Sequence, residues 1–440
     1  MDELERRTIR KVSVRLIPFL IICYFIAYLD RVNVSFAAIT MNKDLGLTAT
    51  MFGFGSGIFF LAYFLFEVPS NLFLNRFGAR KWIARIMLTW GIVSGLTAFV
   101  EPISRLTGLG NEYSFYGLRI LLGLAEAGFF PGIIFYLTLW FPSVYRARII
   151  GLFMTAVPVS SVIGAPVSGA ILGLHGFVGL AGWQWLFIIE AVPSLVLAVV
   201  TLCYLTDLPA GATWLAEDER SWLVERQRVE QERREAAHRP SVWQAIFDIR
   251  VWALSIVYFG AVAGLYGVGF WLPQIVKAFG LSNFGTGCVV ALPYAVATVA
   301  MVAYGRWSDR RLQRSRDAAI ALALVAAGIA AATLTQNPVL TMLAFTVGGC
   351  GVMMAFPVIW TLPTAVLSGA SAAAGIAVIN SVGNLAGFVG PFAMGWIKDA
   401  TGSFTGGLLL IAGLAVLSMV IVLALGHDQE LERTPSPADL

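Results

Sequence analysis

The run Leu16–Ala38, LIPFLIICYFIAYLDRVNVSFAA, decides the architecture. It is long enough to cross ~30 Å of hydrocarbon as a helix, yet it holds an acid and a base, Asp30 and Arg31, well inside its apolar frame. Similar runs recur along the chain. Hydropathy predicts spans at roughly 16–38, 51–74, 82–100, 114–139, 149–174 and 183–205, and again at 251–273, 285–305, 318–335, 338–362, 371–396 and 404–425. The expectation is an all-α membrane protein of twelve transmembrane helices in two six-helix, pseudo-symmetric halves. The halves would be 1–205 and 251–426, joined by a linker at 206–250 and followed by a tail at 427–440.

The bulk composition agrees. Of 440 residues, 58% are hydrophobic and only 13% charged, with mean hydropathy +0.78; a soluble domain of this size needs more charge to cover its surface. A net charge of +4 could suggest a nucleic-acid partner, but its placement argues for topology instead. With the N-terminus inside, 24 Lys and Arg fall in connections on that side and four (Lys43, Arg105, Lys277, Lys398) on the other. This is the positive-inside pattern, and it predicts a multi-pass protein of a bacterial inner membrane with both termini cytoplasmic. No removable signal peptide is expected. Cys23, Cys203, Cys288 and Cys350 stand singly in apolar surroundings, so neither a metal site nor a disulfide framework is predicted, and no cofactor is expected.

Within the linker, Thr213–Ala237 reads as a surface helix, with Thr213 as its cap and Trp214, Leu215, Trp222 and Leu223 as an apolar edge. A solvated tether between the halves is the expected role, with regulatory docking the alternative. The basic turn Asn75-Arg76-Phe77-Gly78-Ala79-Arg80-Lys81 after span two is echoed by Gly305-Arg306-Trp307-Ser308-Asp309-Arg310-Arg311 after span eight, as a parallel duplication would leave it.

Leaving aside Arg85, which is interfacial in the first turn of span three, six charged residues fall inside the spans: Asp30, Arg31, Glu67, Arg119, Glu126 and Glu190, all in the first half. An Arg or Asp at mid-bilayer costs ~2.5–3.5 kcal/mol, so each needs a partner, water or a function. Neighbours on a helix point about 100° apart, so Asp30 and Arg31 cannot simply cancel each other. Arg31 offers a permanent planar cation suited to a carboxylate, or else an inter-helix lock. Arg119, Gly123 and Glu126 share a face of span four, and Glu126 lies among small residues that permit close helix approach. Carboxylates are the best-placed proton carriers here, with Glu126 and Asp30 the natural pair; a structural ion pair is the other reading of Glu126. Glu67, two to three turns before Arg76, reads as a gate or structural pair, and Glu190 as structural. Tyr28, Tyr63, Trp360, Asn380 and Asn384 are candidates to shape a substrate cavity, although Trp360 and the two amides serve helix packing equally well.

Several motifs taken together carry a resemblance. They are Leu29-Asp30-Arg31-Val32-Asn33, the stretch Pro69–Trp82, Leu118–Gly132 around Gly-Leu-Ala-Glu-Ala-Gly, Gly182–Glu190 and Leu205-Thr-Asp-Leu-Pro209. With them the chain resembles the anion:cation symporter family of the major facilitator superfamily, over nearly its whole length. The resemblance implies that Arg31 binds the anionic substrate, that Asp30 and Glu126 carry protons, and that Tyr63, Trp360 and Asn380 contact the substrate. Glu67, Arg76, Arg119, Asp309 and Arg310 are expected to be gating or structural charges. One departure matters: Asn75 stands where the superfamily usually has Asp, which would shift the first-half latch to Glu67. Gly164–Gly169 matches the span-five signature of antiporters only in part.

The expectation is therefore a monomeric transporter, not an enzyme, whose partners are a small organic anion, protons and the lipid bilayer, with no nucleic acid. Proton-coupled import of a tartrate-like hydroxy dicarboxylate or sugar acid stands first. Import of an aromatic carboxylate such as phthalate, or efflux of a drug or anion by antiport, are the rivals. A membrane sensor and an intramembrane enzyme are disfavoured, the latter because no HExxH, nucleophile elbow or metal cluster is present.

Overall fold

Charge kept to the connections and apolar runs between them leave the backbone one way to satisfy its hydrogen bonds in lipid, the helix. The computed structural model describes residues 3–236, 247–311, 313–363 and 370–425, and among these no strand occurs. The expected tail at 427–440 and the linker stretch 237–246 lie outside the described residues.

The first part of the chain forms α1 (Glu3–Leu45), α2 (Ala49–Phe77), α3 (Ala79–Thr97), α4 (Val100–Thr107), α5 (Asn111–Glu126), α6 (Phe129–Trp140), α7 (Ser143–Met154), α8 (Ala156–Ile171) and α9 (Gly182–Tyr204). After the linker helix α10 (Glu217–Ala236) come α11 (Ile249–Val262), a π turn at Ala263–Gly267, α12 (Leu272–Lys277), α13 (Asn283–Arg311), α14 (Arg314–Ala332), α15 (Pro338–Ile359), α16 (Ala370–Asn384), α17 (Ala386–Thr401) and α18 (Thr405–Leu425). Eleven stretches among the described residues are long and apolar enough to cross a membrane. Taken together, α3 and α4 make a twelfth apolar stretch of that length, bent by 83° at the break between them.

The chain separates into two compact units. Unit 1 is Met1–Val34, Leu61–Gly164 and Leu174–His238; unit 2 is Ser35–Phe60, Ala165–Gly173 and Arg239–Leu440. Helices α1, α2 and α8 are thus shared, each giving one end to each unit. Within unit 2, α2 begins directly on α17: Asp399 accepts the backbone N–H groups of Ala49 (3.1 Å) and Thr50 (2.7 Å). A carboxylate there satisfies donors that a helix start leaves open and complements its dipole. The helices touch so closely that a Cβ on Gly53 would stand 2.4 Å from the carbonyl oxygen of Pro391.

The linker is not the solvated tether its charges suggested. Its described part is fastened to unit 1. Glu219, with its side chain 0% exposed, takes ion pairs from Arg7 and Lys11, each at 2.8 Å. Arg146 pairs with Glu230 at 2.9 Å. Trp214 stacks on Trp140, ring centroids 5.4 Å apart, and the Arg15 guanidinium lies over both Tyr204 and Trp214. Leu215 and Leu223, the expected apolar edge, are buried. Thr213 is not the cap: α10 starts at Glu217, and Glu219 reaches back to accept the Ala216 N–H at 3.0 Å. Burial raises the Glu219 pKa, but hydrogen bonds from Lys11 and the Ala216 backbone, with the Lys11 and Arg7 charges, bring it below the ordinary glutamate value.

Candidate functional site

All six intramembrane charges belong to unit 1, and four of them meet around α1 and α5. Glu126 is the last residue of α5. There the span breaks, because Ala127 leaves the helical region and Gly128 takes φ 84°, before α6 resumes at Phe129. A left-handed backbone is cheap only for glycine. Space also demands it, since a Cβ on Gly128 would stand 2.4 Å from the Ser70 hydroxyl. The Gly-Leu-Ala-Glu-Ala-Gly stretch therefore ends a helix at its carboxylate as well as allowing close packing.

Arg31 forms an ion pair with Glu126. The pair is unequal in exposure: Glu126 is 1% exposed and the Arg31 side chain 12%. The Arg31 guanidinium also lies over the Tyr63 ring, 5.3 Å from its centroid, where the ring face attracts a cation. Tyr28 is buried on the same helix as Arg31. Glu67 feels the Arg31 charge, whereas Arg76 lies over Phe77; among the described residues no ion pair joins Glu67 to Arg76. Glu67 thus stands with Arg31 and not with the basic turn. Asp30 points elsewhere, as adjacent helical positions require. It is 1% exposed and accepts hydrogen bonds from Ser94 of α3 and from Asn33. Arg119, fully buried, acts electrostatically on both Asp30 and Glu126.

The carboxylate that holds the first basic turn is one the sequence reading quoted but did not assign. Asp207, in Leu205-Thr-Asp-Leu-Pro209, accepts the Arg80 backbone N–H at 2.8 Å and faces its guanidinium at 3.7 Å. In the second basic turn, Asp309 pairs with Arg314 at 2.9 Å.

Unit 2 carries the neutral candidates. Asn384 donates to Asn380 at 3.1 Å, one turn apart on α16. Trp360 meets Tyr258 edge-on, centroids 4.8 Å apart, and Tyr258 packs against Gly383 between the two asparagines. A cavity with mostly apolar walls lies elsewhere in unit 2, between the π turn, Pro293, Tyr294 and Val352. Among the described residues no cluster of His, Cys, Asp or Glu converges to hold a metal.

Chemically, unit 1 offers a permanent cation whose present partner is a titratable group. An Arg–carboxylate pair is strong and directional, and one guanidinium face cannot serve two carboxylates fully.

Comparison with known proteins completes the picture. The sequence model of the family described as "Major Facilitator Superfamily" matches residues 20–391. A protein of Agrobacterium vitis described as "Putative tartrate transporter" is 54% identical over 97% of this chain and 96% of its own length. The "Quinolone resistance transporter" of Acinetobacter baumannii is 37% identical over 98% of each chain. Among solved structures, a D-xylose-proton symporter superposes with TM-score 0.72 at 15% identity, over 96% of this chain and 99% of the other, a likeness of fold.

Proposed function

The chain belongs to the Major Facilitator Superfamily, and on that footing we propose that it is a proton-coupled symporter of the anion:cation type. Its cargo is a small organic anion, a tartrate-like hydroxy dicarboxylate or a sugar acid. It works in a bacterial inner membrane with both termini cytoplasmic, the orientation that the 24-to-4 split of Lys and Arg favours.

The buried Arg31–Glu126 pair carries this reading. Protonation of Glu126 from the acidic side frees Arg31, and the carboxylate of the cargo takes its place over Tyr63. Asp30 is the second proton carrier. Asn380, Asn384 and Trp360 supply neutral hydrogen-bonding and aromatic groups suited to hydroxyls. The protein then exposes the site to the other side, where the more alkaline cytoplasm draws the protons off and Glu126 reclaims Arg31, expelling the cargo. Similarity to the Agrobacterium vitis relative favours a tartrate-like acid.

Efflux by antiport is the second reading, favoured by the likeness to the Acinetobacter baumannii relative. Proteoliposomes separate the two. Labelled tartrate, a sugar acid, phthalate and a quinolone are each offered with an inward proton gradient. Accumulation of a small carboxylate, lost in Arg31→Ala, supports symport. Expulsion of a quinolone against that gradient, with no carboxylate accumulated, overturns it.

A further inference from the structure

The proton-carrier role given to Asp30 leaves open how its proton can come and go without disturbing a packed helix contact. The two oxygens of Asp30 differ sharply. Oδ1 accepts from the Ser94 hydroxyl of α3 and from the Asn33 amide at 3.1 Å. Oδ2 is buried and has no hydrogen-bond partner among the described residues. Ser94 and Asn33 are themselves fully buried, so neither can trade its bond to Asp30 for one to bulk water.

We propose that Ser94 and Asn33 are positioning residues that hold Oδ1 of Asp30, so that the proton is taken up and released at Oδ2. This rests on the reading of Asp30 as a proton carrier. The chemistry follows from which oxygen is engaged. A carboxylate accepts at both oxygens, and a neutral carboxyl group protonated at Oδ2 still accepts at Oδ1, now its carbonyl. Both donors therefore keep their bonds in either state. The orphaned oxygen is the costly one, because a buried acceptor without a partner forfeits its hydration, and it is also where a proton can be added without breaking any bond shown.

The charges that act on Asp30 come from α5, namely Glu126 and Arg119, with Arg31 next to it in sequence. Helix α3 brings a hydroxyl at this level, while its own cations Arg80, Lys81 and Arg85 lie toward its other end. Glu190, on α9 packed against α3, is the other buried carboxylate within the described spans of unit 1.

The test needs no substrate. Infrared difference spectra of the purified full-length protein are titrated with pH, and the C=O stretch of protonated Asp30 is assigned by its loss in Asp30→Asn. Donors to an ionised group are stronger than donors to a neutral one, so Ser94→Ala moves the midpoint of that band up by about one to two pH units. Asn33→Ala, the independent variant should Ser94→Ala fail to fold, moves it the same way, and Ser94→Thr restores it. A titrating Asp30 band whose midpoint neither alanine variant shifts overturns this proposal and leaves the transport reading standing. No titrating Asp30 band in the unsubstituted protein removes Asp30 as a proton carrier, and the proposal with it.

Discussion

Replacing Glu126 by Gln tests the linkage between proton and cargo most directly. In the unsubstituted protein an acid reaching Arg31 finds it engaged by a carboxylate that is 1% exposed. Displacing an ionised partner of this kind costs ~1.5–3 kcal/mol, which is roughly 10- to 150-fold in Kd. Protonation of Glu126 removes that competition. Binding of tartrate should therefore be weaker by about that factor in mildly alkaline than in mildly acidic solution. Gln keeps the shape and cannot ionise, so Glu126→Gln should bind at alkaline pH with nearly the acidic affinity of the unsubstituted protein. Calorimetry on purified protein at the two pH values reads this directly. The variant should also lose uptake driven by a pH gradient while retaining exchange. Retention of the full pH dependence in Glu126→Gln, or weaker binding at alkaline pH, would refute the competition on which the proposal stands.

Three further outcomes follow from unit 1. Combining Glu219→Gln with Lys11→Met should give a coupling energy of about 1 kcal/mol in thermal unfolding, reduced from the value for a fully buried pair because Lys11 is half exposed; simple additivity would mean that the linker is not held there. Because the folded pKa of Glu219 lies below its ordinary value, its contribution to docking is complete above the unfolded pKa of ~4.3 and is lost as pH falls through the lower folded value; proteolysis of the linker should rise in that acid window and stay flat above it. Asp207→Ala should cost about 1–2 kcal/mol and Asp207→Asn, which keeps the acceptor for the Arg80 N–H, clearly less; equal loss would assign the role to charge instead of geometry.

How much of this was legible in the sequence divides along a physical line. Spans follow from local composition, and their number survives even where α3 and α4 bend sharply. The six misplaced charges were visible because the bilayer makes each one expensive. Pairings were less accessible. Asp30 and Arg31 could be separated by helical geometry, but that Arg31 meets Glu126 while Asp30 meets Ser94 depends on how α1, α3 and α5 are rotated against one another. Ser94 gave no signal, since a serine in an apolar helix is common. Asp207 was hidden for a different reason: it lies in a connector, 127 residues from its partner Arg80. The linker misled because charge was read as solvation, whereas Glu219 is buried against cations supplied by α1. The break at Gly128 needed Ser70 of another helix to explain it.

The balance of buried charge gives the most general reason to expect proton coupling. Leaving aside the interfacial Arg85, the spans of unit 1 contain four carboxyl groups, Asp30, Glu67, Glu126 and Glu190, and two guanidinium groups, Arg31 and Arg119. Fully ionised they would leave an excess of negative charge in a medium that solvates ions poorly, and arginine cannot correct this by titrating. Protons on the carboxyl groups can. A dicarboxylate docking on Arg31 adds negative charge to the same region, so its binding must favour further protonation, and by reciprocity protonation must favour its binding. Tartrate added to the purified protein in weak buffer should therefore draw protons from solution, seen as alkalinisation by a pH-sensitive dye. The uptake should be roughly one proton per anion or more near neutral pH, and should fall in Glu126→Gln. Binding with no proton uptake at any pH would show that the excess charge is neutralised by other means, and would separate anion recognition at Arg31 from proton coupling altogether.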